Sequence, residues 1–146
     1  MFTHILVPHD TSEPADHALR YATKLAKQFG ATVTLVSVVS TMPPKLPDQM
    51  IRMHWAHGEK VKAYLKSACE QLRQAGISAD FHIIDNDHVA QSLVQFADDC
   101  DADLIVMGTH GRTGFNRLWL GSVADEVRHQ ANQPLMLIRP KEASKM

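Results

Sequence analysis

Residues 103–127 read DLIVMGTHGRTGFNRLWLGSVADEV, and this stretch decides which fold the chain can adopt. Its apolar start, residues 104–107, predicts a short buried strand. A glycine-punctuated loop follows, and glycine lets backbone N–H groups approach a ligand without interference from a Cβ atom. The loop ends at Gly121-Ser122, where a helical pattern begins. It therefore predicts a strand, a loop and a helix N-terminus, with loop glycines at Gly108, Gly111 and Gly114.

The start of this helix is a candidate anion site. Ser122 and Asp125 have the spacing of a capping box, so we expect Ser122 to be the N-cap. Unpaired N–H groups at a helix N-terminus favour anions, most often phosphates, although Asp125 and Glu126 in the first turn oppose one. The loop has neither the GxGxxG nor the GxxxxGK[ST] pattern, and it contains no lysine. On spacing alone, a phosphate site and a loop that merely turns the chain both remain open.

The composition sets the class of protein. A chain of 146 residues with 45% hydrophobic and 21% charged residues fits one globular domain, residues 1–146. Its net charge of −1 gives no basic surface for nucleic acid or anionic membranes, and no apolar run is long enough to span a bilayer. The N-terminus has the pattern of a strand and not of a secretion signal, so we expect a cytoplasmic protein. Cys69 and Cys100 lie on apolar helix faces, which favours reduced core thiols.

Outside this stretch, β-rich runs alternate with helical patterns. We expect strands at residues 3–8, 32–39, 78–84, 104–107 and 134–139. The helices between them are expected to start after caps at Ser12, Asp48, Asp87 and Ser122, and the first two to end at Gly30 and Gly76. This alternation predicts an α/β fold, with an open five-stranded parallel sheet covered by helices on both faces.

The second helix should carry one long apolar stripe. It follows a proline-rich loop at residues 40–47 that cannot be helical. Apolar residues then recur at intervals of three or four, which predicts a helix packed against the core. The stripe consists of Met50, Met53, His57, Val61, Leu65, Ala68 and Leu72.

Two strand ends are the candidate site. Strand one ends in Pro8-His9-Asp10, and strand four runs into the glycine loop. Ligands of open α/β sheets bind beyond the carboxyl ends of the strands, where the strand order reverses. If the order is 3-2-1-4-5, which periodicity does not fix, Asp10 faces the glycine loop across that crevice. Asp10 would then contact a ligand in the crevice, or it would only cap the helix after strand one.

At this point the residues carry a family resemblance. The spacing Gly108-x2-Gly111-x9-Gly121-Ser122 resembles the nucleotide-binding motif of the universal stress protein family. The segments ILVPHDTSE, TVTLVSVV and NQPLMLIRP are also similar to that family, so the resemblance covers essentially the whole chain. It implies a Rossmann-like sheet in the order 3-2-1-4-5, ATP or another adenine nucleotide as ligand, a role in stress response and usually a homodimer.

The resemblance assigns residues to each part of the nucleotide. The adenine and ribose end would be lined by Pro8, His9, Asp10 and Val38. The ribose and phosphates would contact Met107, Gly108, Thr109, His110 and Gly111, and the phosphates would be held by Gly121, Ser122, Val123 and Ala124. Arg112 and Arg117 are further candidates for the phosphates. This chain departs from the pattern at His9, where an apolar residue is common, and at Thr11, where a glycine often stands.

Metal binding by protein side chains is the less favoured alternative. His9, Asp10 and His110 could meet in the crevice, but no HxxxH or HExxH spacing occurs. We expect Mg²⁺ to be held mainly by the nucleotide phosphates.

Three functions compete. A nucleotide-binding regulator needs only the site above, whereas a hydrolase or nucleotidyl transferase needs positioned charge that the loop does not supply, so we expect slow hydrolysis at most. A receiver-like phosphoacceptor would use Asp85 on a sheet of order 2-1-3-4-5. The apolar fifth strand, from Leu135 to Arg139, would be an exposed edge, which predicts a homodimer formed by pairing of that strand.

Overall fold

The β-branched runs form one parallel sheet. The computed structural model describes residues 1–39, 47–110 and 120–140. The strand order is β3-β2-β1-β4-β5, as the resemblance implied. A receiver needs the order 2-1-3-4-5, so that hypothesis is wrong, and Asp85 lies at the end of an edge strand. The strands are β1 (His4–Pro8), β2 (Thr32–Val39), β3 (Ala79–Asp85), β4 (Leu104–Gly108) and β5 (Leu135–Ile138).

Four helices connect the strands: α1 (Glu13–Phe29), α2 (Asp48–Gln74), α3 (Val89–Asp99) and α4 (Ser122–Gln130). The limits predicted for α1 are confirmed. Ser12 Oγ accepts the Ala15 N–H at 3.3 Å, and Gly30 ends the helix with φ of 67°. That left-handed conformation is one that glycine adopts without strain.

The other three predicted caps are wrong by one residue each. The N-cap positions of α2, α3 and α4 are Pro47, His88 and Gly121, and none of them makes a side-chain cap hydrogen bond. Ser122 is therefore the first residue of α4 and not its cap. No capping box forms, because the Asp125 carboxylate accepts a hydrogen bond from Arg128 at 2.8 Å.

Two cores lie on opposite faces of the sheet. Successive side chains of a strand point to opposite faces, so Ile5 and Val7 of β1 pack under α1 and α2, while Leu6 packs under α3 and α4. All three are fully buried. Because helices cover both faces of the sheet, the strands are almost continuously apolar. Among the described helices, none combines the length and apolar character needed to cross a bilayer.

Only the C-terminal part of the α2 stripe is buried, which corrects the prediction. Leu65 is 0% exposed, whereas Met50 is 53% and Met53 is 72% exposed. A helix of 27 residues is about 40 Å long, whereas the eight-residue strand β2 spans about 27 Å. The first turns of α2 therefore extend past the sheet and have no core to contact.

Two substitutions on this stripe should separate its buried part from its exposed part. Leu65→Ala should lower the free energy of unfolding by about 2–5 kcal/mol, because it removes a fully buried side chain. Met53→Ala should change it by less than about 0.5 kcal/mol. Urea denaturation measures both, and equal losses would show that the start of α2 is packed in solution.

Candidate functional site

The first feature of the site is the adjacency of the ends of β1 and β4. The two strands pair in parallel, with Ile5 opposite Leu104 and Leu6 opposite Ile105. Their carboxyl ends therefore meet at one edge, and the chain leaves β1 and β4 in opposite directions across the sheet. This is the switch point at which ligands bind in such folds.

A backbone hydrogen bond brings the start of α4 to the same edge. Gly121 N donates to Thr109 O at 2.7 Å. A Cβ atom on Gly121 would lie only 3.1 Å from that carbonyl oxygen, so the close approach favours glycine, and any other residue would have to displace the carbonyl. Gly108 is confined in the same way, because a Cβ there would lie 3.2 Å from His110 O. The two predicted segments do converge, although Gly111 and Arg112 lie outside the described residues.

Not every predicted amide can hold a phosphate. The Gly121 N–H is used by Thr109 O, and the Thr109 N–H donates to Ile138 O at 3.0 Å. These two amides already have acceptors within the protein, so Gly121 and Thr109 would have to contribute to a nucleotide site in another way, by shaping the edge. The first helical hydrogen bond of α4 runs from Asp125 N to Gly121 O. The amides that precede it have no acceptor within the helix; they belong to Ser122, Val123 and Ala124.

Asp10 is placed for both of the roles that the sequence left open, which are support of the turn before α1 and contact with a ligand. Its Oδ1 accepts the Ser12 N–H at 3.0 Å and also the Ser12 hydroxyl, and Ser12 in turn caps α1. The carboxylate thus holds the turn between β1 and α1. It is only partly buried and stands at the edge where β1 and β4 meet. A structural role in the turn is therefore compatible with contact to a ligand.

His9 lies under the turn and not in the crevice. Its side chain is 0% exposed. Nδ1 accepts the Thr11 N–H at 2.9 Å, so the neutral ring carries its proton on Nε2 and donates it to Asp16 at 2.9 Å. Burial lowers the pKa of His9, and the Asp16 and Asp10 carboxylates oppose that shift. His9 therefore has no ring nitrogen left for a ligand and can contribute to the site only through its backbone.

Two further residues, both partly buried, complete the cluster around His9. Tyr64, on α2, donates its hydroxyl to Asp16, and its ring lies 5.3 Å from that of His9. Burial and the hydrogen bond with Asp16 raise the pKa of Tyr64 to about 12. Sequence analysis did not find Asp16 or Tyr64, because periodicity cannot reveal which polar residues on different elements share a hydrogen bond. The one sequence signal of this cluster was the histidine at position 9, where an apolar residue is common in the family.

The remaining predicted residues lie around this edge. Val38 is near the end of β2, Met107 is buried in the core under α3 and α4, and His110 Nδ1 is 2.9 Å from Thr109 Oγ1. A cleft of about 490 Å³ opens between the N-terminal end of α3 and one side of α4, and its lining includes Val123 among the predicted residues. Within the described ranges, no three His, Cys, Asp or Glu side chains form a metal-binding group.

Comparison with known proteins identifies the family. The family model described as "Universal stress protein family" matches residues 1–139. The chain belongs to the universal stress protein family. A family member from Methanocaldococcus jannaschii is 30% identical, over 97% of this chain and 85% of its own length.

Solved structures of family members have the same fold. A second Methanocaldococcus jannaschii protein is 25% identical with a TM-score of 0.80, and the match covers 98% of this chain and 99% of that one. The family member from Archaeoglobus fulgidus in complex with dAMP is 26% identical with a TM-score of 0.67, over 95% and 98% of the two chains. A nucleotide is thus present in at least one structure with this fold and this level of identity.

The buried His9 predicts a pH dependence of stability. Because its pKa is lowered in the folded chain, the unfolded chain takes up the proton first. The contribution of His9 is then fully present above about pH 6.5, the ordinary value for histidine, and decreases as the pH falls below it. His9→Asn should remove this decrease between about pH 6.5 and 5, above the range in which ordinary carboxylates titrate.

Urea denaturation of both proteins at a series of pH values measures the difference. Identical slopes in the two proteins would contradict the prediction. The other titratable groups that face the ring, Asp10, Asp16 and Tyr64, are the same in both proteins.

Proposed function

We propose that this chain binds ATP or a closely related adenine nucleotide and acts as a regulator in the response to stress. The observation that carries the proposal is the hydrogen bond from Gly121 N to Thr109 O. It holds the start of α4 against the end of β4, beside β1. The first amides of α4, which have no acceptor within the helix, and the carboxylate of Asp10 thereby share one edge of the sheet. The dAMP complex of the related Archaeoglobus fulgidus protein supports the choice of an adenine nucleotide.

Each part of the site has a chemical role in this proposal. The amides of Ser122, Val123 and Ala124 would bind phosphate oxygens, assisted by the positive end of the helix dipole. Asp10 would accept a hydrogen bond from the ribose, and Val38 would contact the base. Gly108 and Gly121 contribute by letting backbone segments of the protein lie close together at this edge, since the atoms nearest to a Cβ at either position are backbone atoms of the chain itself.

Mg²⁺, if bound, would be held mainly by the phosphates, as is usual for this ion at nucleotide sites. The partial charge at the start of α4 positions phosphates in the same way in the ground state and the transition state. Uniform binding of this kind does not accelerate hydrolysis. We therefore propose that any turnover of ATP is slower than about one per second, below the median of ordinary enzymes.

A charge placed at the start of α4 tests the site. Ser122→Asp should weaken ATP binding by about tenfold or more, because a carboxylate competes with phosphate for the same amides. Ser122→Asn has almost the same shape without the charge and should weaken binding by no more than about threefold. Isothermal titration calorimetry with ATP measures both variants.

Thermal unfolding supplies the control for this experiment. A negative charge in the first turn favours the helix, so Ser122→Asp should be at least as stable as the unmodified chain. Equal affinity of the two variants for ATP would contradict the proposed phosphate site, and absence of ATP binding by the unmodified chain would contradict the function. Gly121 is a poorer position for the test, because any side chain there contacts Thr109 O.

We also propose that the protein forms a homodimer through β5. Ile105 N donates to Pro134 O, just before β5, and Thr109 N donates to Ile138 O, so the backbone groups of these two residues face β4. Backbone groups alternate in direction along a strand, so the N–H and C=O of Leu135 and Leu137 face the outer edge. All four strand residues are half-buried in the single chain. An uncovered apolar edge of this kind favours pairing with a second copy.

A matched pair of substitutions tests the dimer. Leu137→Pro removes an outward-facing donor and should yield a monomer, whereas Leu137→Ala loses a similar amount of packing but keeps the donor and should remain a dimer. Light scattering at micromolar concentration measures the mass, and circular dichroism checks the fold. A stable monomer of the unmodified chain would contradict the proposal.

A further inference from the structure

The turn between β1 and α1 contains a residue in a strained conformation. Thr11 has φ of 65°, in the left-handed region. A β-branched residue rarely adopts this conformation, because its side chain crowds the backbone there. Such a residue persists only where surrounding contacts determine its conformation. The contacts that hold Thr11 therefore decide the shape of the turn.

One of those contacts is the buried imidazole beneath the turn. The Thr11 N–H donates to Nδ1 of His9 at 2.9 Å, and the next amide, that of Ser12, donates to Oδ1 of Asp10 at 3.0 Å. The two hydrogen bonds have the same pattern, because in each of them a side chain accepts the N–H of the residue two positions later in the chain. Asp10 lies between His9 and Thr11 in the chain, so a change in the backbone conformation of Thr11 would also shift Asp10 and the Ser12 contacts of its carboxylate.

The imidazole can accept that hydrogen bond in one protonation state only. Nδ1 must be without a proton, and Asp16 favours this tautomer by accepting the proton on Nε2 at 2.9 Å. The Tyr64 hydroxyl binds the same carboxylate from α2. His9 is thus fixed from the side opposite the turn, with its side chain 0% exposed.

We propose that His9 is a positioning residue for the nucleotide: its Nδ1 holds Thr11 in the left-handed conformation and thereby directs the Asp10 carboxylate toward the ribose. The inference rests on the proposed function, because it concerns the same site. His9 itself does not touch the ligand through its side chain. Its effect reaches the nucleotide through the backbone of residues 9–11.

Two substitutions of His9 separate the two hydrogen bonds of the ring. His9→Asn places an oxygen near the position of Nδ1 and keeps an acceptor for Thr11 N, but it does not reach Asp16. His9→Gln places its polar group near Nε2 and reaches Asp16, but it offers no acceptor at the Nδ1 position. We expect His9→Gln to weaken ATP binding by about tenfold and His9→Asn by about threefold or less.

A glycine at position 11 should compensate for the missing acceptor. Glycine adopts the left-handed conformation without strain. Thr11→Gly in the His9→Gln background should therefore restore ATP affinity to within about threefold of Thr11→Gly alone. The unmodified chain, His9→Gln, Thr11→Gly and the variant with both changes form a double-mutant cycle, and calorimetry with ATP measures their affinities.

A change of ligand distinguishes positioning of Asp10 from a general loss of packing. With 2′,3′-dideoxy-ATP, which has no ribose hydroxyls, the His9→Asn and His9→Gln variants should bind with equal affinity. A purely structural role of His9 would give the same ratio of affinities for both ligands, and glycine at position 11 would restore nothing. Thermal unfolding of all variants checks that each remains folded at the temperature of the titration.

The outcomes separate this inference from the proposed function. If the unmodified chain binds ATP but the two His9 variants lose affinity equally, or if glycine fails to restore binding, the inference is wrong and the function stands. If the unmodified chain does not bind ATP, the proposed function is wrong and the inference falls with it. Selective loss in His9→Gln, restored by glycine and absent with the dideoxy ligand, supports both.

Discussion

The contact between Gly121 N and Thr109 O is the constraint on which the arrangement of the site depends. It joins two segments that are separated in the chain by residues 111–119, and it fixes the start of α4 at the end of β4. A Cβ on Gly121 would lie 3.1 Å from Thr109 O, so any larger residue would have to push that carbonyl away. The glycine is therefore favoured by packing within the protein, before any ligand is considered.

Most of the fold could be predicted from the sequence, because it follows from patterns that extend over many residues. Runs such as Thr32–Val39 have the apolar, β-branched character of strands buried on two faces, and their alternation with helices leaves few topologies. The order of the strands could not be predicted from such patterns. Periodicity does not determine it, and the expected order came from the family resemblance. The stripe of α2 was predicted too long, because sequence does not reveal where the sheet beneath a helix ends.

Details that depend on single hydrogen bonds were harder to predict. The caps at Asp48, Asp87 and Ser122 were each placed one residue from the observed position, since a polar side chain near a helix start can bind elsewhere. Asn86, for example, accepts the His88 N–H at 2.8 Å, just before α3 begins. The position of His9 in the chain predicts that it lines the crevice, yet its ring lies beneath the turn, on the side away from the crevice. The direction in which a side chain points depends on tertiary contacts, and a local sequence pattern does not reveal these.

The two cysteines have a consequence for the chemistry that the protein can undergo. Cys69 is buried among the residues under α1 and α2, and Cys100 is half-buried beside the other core. Burial raises the pKa of both thiols, so each remains protonated at neutral pH. Peroxides and alkylating agents attack the thiolate, and such thiols react slowly. The folded chain is therefore expected to withstand oxidising conditions without forming sulfenic acid at either position.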